Sequence, residues 1–471
     1  MPFNIAQEVV RQAASRPSRI AFAGRDGTVT YGSFADRVER TSSRIAALCK
    51  DIPDGVPRIG VLCPSGVQHA VLMLAVMRAG GCAVPIAGES PAPEREQIRT
   101  ISALHGVLSP VVTGWGQDPV AVADDVYWES FGRVEPVYPV ESFETLNPAF
   151  VRFSSGTTGA SKGVVLSHDT LRERVASANR RLGITSEDRV LWTLPMAHHF
   201  AVSILLYLHS GATIVLPDGQ LASEMLSSAR EHEATVFYGS PFQAGLLASE
   251  DSKRDWPSLR LAVSTAAPLP SDTAKVFEHR FGRRLVQAFG IIEAGLPLLN
   301  TTSDDPQALG QPDDFEFRID SSNHEGELCL KGPGMFDAYL SPWRLREEVM
   351  HGGWFRTGDL ARLNGDGNVR LVGRLKSVIN VGGSKCYPEE IEDVLRTHDA
   401  VADVRVFGRP HERWGMLPVA EIVLREPHGT PPSSSQLTKF CRARLAPYKV
   451  PVSFITVDSL PMTSTGKVRR A

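Results

Sequence analysis

The sequence predicts an α/β protein, with a large N-terminal domain of layered sheets and helices and a small α+β domain at the C-terminus. The chain has 471 residues, more than a single hydrophobic core normally accommodates. Apolar runs of strand length alternate with amphipathic stretches over most of it, which is typical of parallel strands covered by helices. The C-terminal end has its own shorter pattern of strands and helices.

In the N-terminal part, the clearest unit is a strand, a helix and a second strand. Residues 58–63 have the composition of a buried strand, Val67–Arg78 has helical character, and residues 81–86 form the next apolar run. This order predicts a parallel strand pair joined by a helix. The same patterns predict an amphipathic N-terminal helix and two more buried strands, at residues 1–19, 213–216 and 259–263.

A domain boundary is predicted near residues 372–377. Before it, Asp366-Gly367-Asn368 has the composition of a hairpin turn. After it, Pro388 can occupy the first position of a helix whose first turn carries Glu389 and Glu390. The remaining elements predicted for this domain are strands at 401–407 and 419–424 and a helix at 436–445.

The charge and the cysteines argue against several classes of protein. The net charge is −3 and no long basic run occurs, so neither nucleic acid nor an anionic membrane is expected as the main partner. The six cysteines are scattered singly, without a metal-binding pattern or a disulfide framework, which favours a reducing, cytoplasmic location. The longest apolar runs, residues 70–77 and 201–208, are too short to span a bilayer and predict buried helices or strands.

A glycine-rich loop is the most informative segment. Residues 153–163 contain three glycines, five hydroxyl side chains and one lysine, between predicted strands at 149–153 and 163–166. Glycines allow consecutive amides to converge, and converging amides with hydroxyls and an ammonium can bind a phosphate. The spacing differs from that of a Walker A loop, which also requires a following helix. A polar hairpin tip would have a similar composition, so the loop by itself leaves both interpretations open.

Motifs along the whole chain resemble those of one family. Besides the loop, matching segments occur in the expected order at residues 30–34, 76–85, 194–200, 289–293, 327–334, 356–360, 373–376 and 461–467. In these motifs the chain resembles the AMP-forming adenylating enzymes, which include acyl-CoA synthetases, stand-alone acyl-carrier-protein ligases, peptide-synthetase adenylation domains and luciferases. The resemblance implies an N-terminal nucleotide- and acyl-binding domain (1–373), a hinge (374–376) and a mobile C-terminal lid domain (377–471).

The resemblance also implies a reaction in two halves. A small carboxylic acid reacts with ATP to give acyl-AMP and pyrophosphate, and the acyl group then moves to the thiol of CoA or of an acyl or peptidyl carrier protein. Both acceptors present the same pantetheine arm, so the sequence leaves the acceptor open. Since both partners of the first step are anions, the site must neutralise charge and align the attack.

The residues that would bind the nucleotide follow from the matched motifs. Glu293 is the expected Mg²⁺ ligand, because Mg²⁺ typically takes one or two carboxylates together with phosphate oxygens. Phe289, followed by Gly290, is expected to stack on adenine, and Asp359 with Arg374 to bind the ribose. The loop residues expected to hold the β- and γ-phosphates are Ser154, Ser155, Gly156, Thr157, Thr158, Gly159 and Lys162.

Two lysines are assigned to the two half-reactions. Lys467 matches the family's catalytic lysine, whose charge can bridge the carboxylate and the α-phosphate. Lys376 matches the hinge about which the small domain rotates before thioester formation. That rotation would bring Gly382 and Gly383 near the reacting thiol, where glycines let the pantetheine arm pass close to the backbone. Nearby Cys386 is interpreted as a buried structural thiol.

The acyl pocket shows the departures from the family pattern. Residues assigned to it are His198, Tyr238, Gly239, Ser264, Ala266 and Ile292. Ile292 replaces the usual threonine and so removes a hydroxyl donor near the α-phosphate, for which Thr193 and Ser264 are candidate substitutes. Ala266 lies in a segment where glycine is common. In the resembling peptide-synthetase adenylation domains, an aspartate in the pocket-flanking segment holds the α-amine of the substrate. No acidic residue occurs from position 190 to 217 of this chain, so the resemblance favours a fatty or aryl acid over an α-amino acid.

Three other functions remain open at this point. One is a stand-alone adenylation enzyme for an amino or β-amino acid. Another is a degenerate member that binds nucleotide or acyl-adenylate as a scaffold, for which only Ile292 argues. Luciferase-type oxidation is the third.

Overall fold

The computed structural model describes residues 2–50, 52, 55–132, 135–154, 162–250, 255–311, 314–320, 325–382, 384–426 and 431–461. The chain packs into two compact units. The first comprises Met1–Thr301, Pro312–Glu316 and Lys331–Phe355, and the second comprises Thr302–Gln311, Phe317–Leu330 and Arg356–Ala471.

The first unit contains helices and strands in alternation. Its helices are α1 (Ile5–Ala14), α2 (Tyr31–Leu48), α3 (Val67–Arg78), α4 (Ala92–Ser102), α5 (Val140–Thr145), α6 (His168–Leu182), α7 (Met196–His199), α8 (Leu205–Ser210), α9 (Ala222–Glu231), α10 (Pro241–Ser249), α11 (Ser271–Phe281) and α12 (Arg346–Val349). A π-helix, Phe200–Ile204, joins α7 to α8.

Its strands are β1 (Ile20–Gly24), β2 (Val29–Thr30), β3 (Arg58–Leu62), β4 (Cys82–Ile86), β5 (Gly106–Ser109), β6 (Gln117–Ala123), β7 (Val126–Ser130), β8 (Pro148–Ser154), β9 (Lys162–Ser167), β10 (Arg189–Trp192), β11 (Thr213–Leu216), β12 (Val236–Gly239), β13 (Leu261–Ser264), β14 (Leu285–Ile291) and β15 (Gly295–Leu299). Two short strands near the end of the unit are β18 (Ala338–Leu340) and β19 (Trp343–Leu345).

The second unit contains the remaining elements. Its strands are β16 (Glu316–Asp320), β17 (Glu325–Lys331), β20 (Phe355–Leu363), β21 (Val369–Arg374), β22 (Ile379–Val381), β23 (Ser384–Cys386), β24 (Val401–His411), β25 (Gly415–Leu424) and β26 (Ser453–Thr456). Its helices are α13 (Pro388–Arg396) and α14 (Ser434–Arg442), with short 3₁₀ helices at Leu375–Ser377 and Pro447–Lys449.

Two sheets organise the first unit. Within the described ranges, one sheet has eight strands in the order β15-β14-β13-β12-β10-β11-β1-β2, and the other has nine in the order β19-β18-β9-β8-β4-β3-β5-β7-β6. Most neighbouring strands of the first sheet are parallel, from β14 across to β1. Helices α1, α3, α6 and α8 contact one another and lie between the sheets, whereas α9 to α11 and α4 to α5 cover the outer faces. The unit therefore has layers of helices and sheets in alternation.

Helix α3 is apolar on almost all sides because it packs against α1 and α2 as well as against strands β3 and β4. In α3, all residues from Ala70 to Met77 are buried. A helix with this composition belongs in a protein core. The two longest apolar runs of the sequence form α3 and the continuous helix from the π-helix into α8, as the run lengths predicted. No helix among the described residues is long and apolar enough to cross a membrane.

The second unit has two smaller sheets. Over the residues the structure describes, one contains four strands in the order β16-β17-β20-β21, and the other contains β23-β22-β25-β24 with β26 paired to β25. Asp366-Gly367-Asn368 lies in the turn between β20 and β21, and Pro388 opens α13, as predicted. Cys386 belongs to the core beneath α13, and burial raises the pKa of its thiol to about 12, which supports its structural interpretation.

The predicted fold class is confirmed, and most predicted strands and helices occur within two residues of their expected positions. Packing divides the chain differently from the predicted boundary at 373, because two earlier segments pair with β20 and β21 and so belong to the second unit. The proposed hinge at 374–376 concerns motion and stays a prediction.

Candidate active site

Strands β8 and β9 hold the two ends of the glycine-rich loop. They pair antiparallel, with Ser154 opposite Lys162, so the predicted hairpin is present. Residues 155–161 lie outside the described part of the chain, and with them Ser155, Gly156, Thr157, Thr158 and Gly159, named above for the phosphates. At the return, the Lys162 ammonium lies 4.7 Å from the ring centre of Tyr339, a cation–π contact on strand β18.

Three neighbouring strands form one row of side chains beside this loop. Val164 on β9 is paired with Tyr339 on one side and with Arg152 on the other. Side chains of directly paired residues point to the same face of a sheet. The row Tyr339–Val164–Arg152, called the arginine row below, therefore presents a phenol and a guanidinium on one face.

Glu293 lies over the arginine row. It occupies the turn between β14 and β15, where its carbonyl accepts a hydrogen bond from the Phe336 amide at 2.8 Å. The Tyr339 hydroxyl donates to Glu293 Oε1 at 2.9 Å. Burial first, and then the adjacent negative charge of Glu293, raise the pKa of Tyr339. The phenol therefore keeps its proton at neutral pH and remains a donor to the carboxylate.

Arg152, like Tyr339, is a residue of this site that the sequence reasoning missed. One of its terminal nitrogens, Nη1, donates to the carbonyl of His198. Its Nε is buried and has no hydrogen-bond partner among the described residues. Burial lowers the pKa of Arg152 to about 10, although the nearby Glu293 carboxylate acts in the opposite direction. The guanidinium thus stays charged at neutral pH. The sequence feature that could have revealed Arg152 is a charged residue between the apolar residues Val151 and Phe153 of a strand.

A second buried arginine faces the same region. Arg174 on α6 donates from Nε to the Gly334 carbonyl at 2.6 Å. Both terminal nitrogens are buried without a hydrogen-bond partner in the described ranges. Burial lowers the pKa of Arg174 to about 10, the Asp337 and Glu293 carboxylates oppose that shift, and the charge of Arg152 adds to it. Two guanidinium groups therefore share the field of Glu293.

Tyr238, one of the residues assigned to the acyl pocket, packs in a cluster of aromatic rings from β10, β12 and α8. Tyr238 stacks on Trp192 with ring centres 5.6 Å apart and an interplanar angle of 18°. Tyr207 meets both rings edge-on, at 5.9 and 6.5 Å. All three residues are buried. Stacked and edge-on aromatic pairs are favourable geometries, so these rings form a rigid wall.

Three small residues assigned to the pocket lie at or just after the ends of β12 and β13. A Cβ on Gly239 would lie 2.5 Å from the Phe237 ring. Ser264 is fully buried, and its hydroxyl has no hydrogen-bond partner among the described residues. Ala266 has φ +73°, a left-handed conformation that favours glycine. The alanine found at position 266, in a segment where glycine is common, therefore has a strained backbone conformation.

The residues assigned to the acyl entrance, to adenine and to the missing hydroxyl lie on α7, on β14 and in the turn after β14. The His198 imidazole, with 21% of its side chain exposed, lies 4.0 Å from Glu89. Ile292 is partly exposed in the same turn as Glu293. Phe289 is only 8% exposed, and Gly290 beside it is exposed.

Of the two substitute donors considered for the hydroxyl missing at Ile292, Thr193 already donates to Gln243 at 3.0 Å.

In the second unit, Asp359 and Arg374 are brought together. They are paired across β20 and β21, and Arg374 Nε lies 2.8 Å from Asp359 Oδ1. Asp359 is 3% exposed, whereas the Arg374 side chain is 47% exposed. The Asp359 amide donates to the Thr357 hydroxyl, which itself donates to the Leu328 carbonyl. This network fixes the turn of the matched motif.

The remaining assigned residues of the second unit lie on separate turns. Lys376 is in the short 3₁₀ helix Leu375–Ser377 that follows β21. Gly382 has φ +56°, and its amide donates to the Trp414 carbonyl at 2.8 Å. A Cβ on Gly382 would lie 2.5 Å from the Trp414 ring, which is 54% exposed. Gly383 and Lys467 lie outside the described residues.

Family models match almost the whole length of the chain. The model for "AMP-binding enzyme" matches residues 9–340, and that for "AMP-binding enzyme C-terminal domain" matches residues 390–467. The chain belongs to the AMP-binding enzyme family. The resemblance read from the motifs is thereby confirmed.

Curated members of the AMP-binding family similar to this chain are ligases of varied acids. A 3-[(3aS,4S,7aS)-7a-methyl-1,5-dioxo-octahydro-1H-inden-4-yl]propanoyl:CoA ligase of Mycobacterium tuberculosis is 30% identical over 96% of this chain and 95% of its own length. The oxalate–CoA ligase of Arabidopsis thaliana is 27% identical, covering 94% and 92%. A feruloyl-CoA synthase of Amycolatopsis is 28% identical, covering 98% and 96%.

Solved structures of AMP-binding enzymes share the fold. The o-succinylbenzoate CoA synthetase of Bacillus subtilis, in complex with its acyl-adenylate intermediate, is 25% identical and has a TM-score of 0.82, covering 98% of this chain and 96% of that one. ATP-bound MatB of Rhodopseudomonas palustris is 22% identical with a TM-score of 0.82, and this likeness concerns the fold alone.

Glu293 is the candidate ligand for the magnesium ion that the matched motifs imply. Within the described ranges, no group of three or more His, Cys, Asp or Glu side chains could hold a metal ion. Glu293 offers one partly buried carboxylate, and a hydrogen bond from the Tyr339 hydroxyl already orients its Oε1. Mg²⁺ commonly uses one or two carboxylates and completes its shell with water and phosphate oxygens. Glu293 is thus suited to a shared site.

Proposed function

We propose that this protein joins a short or aryl carboxylic acid to CoA through an acyl-adenylate, with Mg²⁺ bound at Glu293. The class of reaction, AMP-forming acid–CoA ligation, agrees with the prediction from the motifs and is confirmed by the relatives. The observation that carries the proposal is the placement of Glu293 over the arginine row, next to the strands that hold the glycine-rich loop. The acid, the metal and the details of the site belong to the proposal.

Charge neutralisation drives the first half-reaction. The carboxylate of the acid attacks the α-phosphorus of ATP, and the bond to the β-phosphate breaks with pyrophosphate as the leaving group. Glu293 would hold Mg²⁺, whose positive charge would offset the negative charge of the phosphates. The glycine-rich loop and Lys162 bind the β- and γ-phosphates, and Lys467 bridges the carboxylate and the α-phosphate. Cations held in fixed positions are effective here, because the site does not have to reorganise when negative charge develops on the leaving pyrophosphate.

The ribose is proposed to bind at Asp359. Its carboxylate is almost completely buried and held by the Arg374 guanidinium at 2.8 Å. A fixed carboxylate can accept hydrogen bonds from two hydroxyls, and bonds to charged groups are stronger than neutral ones. Phe289 provides the apolar surface proposed for adenine.

The aromatic wall favours a planar or short acid. Trp192, Tyr207 and Tyr238 are mutually packed and buried, and we propose that these rigid rings close the end of the acyl pocket. A flat aryl acid can stack on such rings, and a short acid need not extend past them. A long acyl chain would require the wall to open. This narrows the fatty or aryl prediction towards its smaller members.

Thioester formation is proposed to follow rotation of the C-terminal part about Lys376. Gly382, which has a backbone that only glycine adopts easily, would then lie beside the pantetheine arm together with Gly383. CoA is the proposed acceptor, and a carrier-protein arm is the alternative with the same chemistry. Cys386 takes no part, since it is buried.

Acid-dependent exchange of labelled pyrophosphate into ATP tests the proposal directly. Short, aryl, long-chain and amino acids should be compared at fixed Mg²⁺, and then the best acid should be supplied with CoA or with a phosphopantetheinylated carrier protein. Exchange with short or aryl acids and thioester formation with CoA are expected. Fastest exchange with an amino acid would contradict the substrate class, and no exchange with any acid would favour the scaffold interpretation.

Magnesium has its own test. The Glu293→Gln variant should require a higher Mg²⁺ concentration for half-maximal exchange, because it loses a charged ligand. Binding of Mn²⁺ in the presence of ATP, followed by electron paramagnetic resonance, gives a second readout that does not depend on turnover. An unchanged metal requirement in both measurements would remove Glu293 as the ligand.

A further inference from the structure

We propose that Arg152 is a further catalytic residue, whose guanidinium binds the α-phosphate and supplies the donor that Ile292 lacks. The proposal rests on the adenylation activity described above and assigns a role to a residue outside the matched motif positions. It starts from the arginine row, where a charged side chain stands between the apolar residues Val151 and Phe153 of β8.

Strand register fixes the direction of the Arg152 side chain. Arg152 is paired with Val164, and Lys162 lies two residues before Val164 on β9, so the side chains of Arg152 and Lys162 point to the same face of the sheet. That face is the one on which Lys162 meets Tyr339, and Tyr339 donates to Glu293. Arg152 is therefore on the side of the sheet where the loop ends and where the candidate metal ligand lies.

The Arg152 guanidinium is held in place, but one of its buried N–H donors has no hydrogen-bond partner among the described residues. Nη1 is bound by the His198 carbonyl, which anchors the side chain from one side. Nε is buried without a hydrogen-bond partner among the described residues. A buried donor without a partner costs free energy unless a ligand satisfies it, and a charged donor costs more than a neutral one. An anion is the ligand that suits this atom.

Charge in the surroundings points to the same ligand. Arg152 and Arg174 both lie in the field of Glu293, and the positive charge of Arg152 acts unfavourably on that of Arg174. Arg174 also has two buried nitrogens without partners in the described structure, and Asp337 moderates its charge. An additional anion at Arg152 would relieve the repulsion between the two guanidinium groups.

Of the anions in the reaction, the α-phosphate fits best. The β- and γ-phosphates are assigned to the glycine-rich loop, whereas the α-phosphate loses its usual hydroxyl contact through Ile292. Thr193 cannot readily replace that contact because its hydroxyl already donates to Gln243. In the reaction, the acid's carboxylate oxygen forms a bond to the α-phosphorus, and the electrons of the breaking bond leave with pyrophosphate. No proton moves, so a permanent cation is the group required.

Binding of AMP and adenosine tests the contact without any acid. In the Arg152→Gln and Arg152→Met variants, the preference for AMP over adenosine should fall roughly 10-fold or more, since a bond to a charged group is lost. Adenosine affinity should stay within about twofold. Arg189→Gln is the matched control, because Arg189 is a half-exposed arginine paired with Glu233 in the other sheet. An unaltered preference, or equal loss for both ligands, would overturn the proposal.

Two further measurements separate a contact from a structural role. If neutral variants fail to fold, Arg152→Lys keeps the charge but changes the geometry, and its preference between the Rp and Sp diastereomers of ATPαS should differ from that of the parent. Ile292→Thr should reduce the cost of Arg152→Gln for kcat of adenylation, because both groups serve one phosphate. An unchanged diastereomer preference or strict additivity would contradict the assignment. Failure of the parent to exchange pyrophosphate would instead contradict the proposed function.

Discussion

The arginine row and the Asp359–Arg374 pair solve a charge problem in opposite ways. Asp359 and Arg374 face each other across one hairpin, so each charge has its counterion nearby in sequence and in space. Arg152, Tyr339 and Glu293 come from distant parts of the chain and meet only through β8, β9, β18 and the turn after β14. Their donors are buried, and some have no protein partner in the described structure.

This difference suggests different energetic roles. A paired carboxylate such as Asp359 is stable by itself and can bind a neutral ribose by accepting hydrogen bonds. In the arginine row, the buried Nε of Arg152 has no hydrogen-bond partner among the described residues, so its stability improves when an anion binds there. The first arrangement favours binding, and the second favours stabilisation of charge during reaction.

The largest expected effect would separate the two half-reactions. Lys467→Ala should abolish acyl-AMP formation but still convert supplied acyl-AMP to thioester, because the lysine's charge is needed only in the first step. Lys376→Pro should show the reverse, since proline fixes φ at the hinge. Single-turnover formation of acyl-AMP and of thioester measures both.

The comparison of the two lysine variants requires a control for folding. Lys449→Ala provides one, since Lys449 pairs with Glu390 at 2.5 Å in the second unit and is assigned no part in the reaction. Equal loss of both half-reactions in Lys467→Ala and in Lys376→Pro would contradict domain alternation.

Removal of the ribose carboxylate should have the next largest effect. Asp359→Ala should weaken ATP binding by about 1.5–3 kcal/mol, the range for hydrogen bonds to charged groups. In this variant 2′-deoxy-ATP should lose little further affinity. Asp366→Ala, in the exposed turn of the same hairpin, is the control. Equal discrimination against deoxy-ATP in the parent and in Asp359→Ala would show that the ribose binds elsewhere.

Acid should weaken the first unit through His168. Burial lowers the pKa of His168 to about 4, and its Nδ1 accepts a hydrogen bond from the Ile5 amide. Between pH 6.5 and 4 the unfolded state binds the proton and the folded state does not, so stability falls as pH falls, by about 1.4 kcal/mol per unit. Urea unfolding at pH 7, 6 and 5 measures this, and His168→Asn should reduce the slope. His69, also buried with a pKa lowered to about 4, would contribute the remaining slope.

A small gain in stability is expected at Ala266. Since its φ of +73° is left-handed, Ala266→Gly should stabilise the protein by about 1 kcal/mol. Ala267→Gly is the control and should be neutral or destabilising, because glycine increases the entropy of the unfolded chain. Thermal or urea unfolding compares the two variants. Destabilisation by Ala266→Gly would mean that packing of the methyl group outweighs the backbone strain.

Sequence reasoning predicted well what short segments determine. The βαβ unit around α3 and the hairpin of β20 and β21 follow from local periodicity and turn residues. The contiguous motifs identified Glu293, Asp359 and Arg374, although their roles stay predictions. Arg152 was missed because its importance depends on register across three strands, which no local pattern encodes.

Two further results required the structure for the same reason. The sequence showed alanine in place of glycine at position 266, but only the backbone conformation shows that it is strained. Packing joins residues 302–311 and 317–330 to the second unit, because Ala308 forms a bridge with Arg370 and β17 pairs with β20, both of which follow later in the chain. Sequence order alone therefore placed the boundary after these segments.

The π-helix Phe200–Ile204 makes the length of its segment important. It separates α7, which carries the His198 carbonyl, from α8 in the central layer. A π-turn contains one more residue than an α-turn, and each residue of a helix advances the chain by about 100°. Loss of one residue here would restore an α-helix and rotate the His198 carbonyl away from Arg152. Evolution can therefore exchange side chains in this segment more easily than it can change the number of residues.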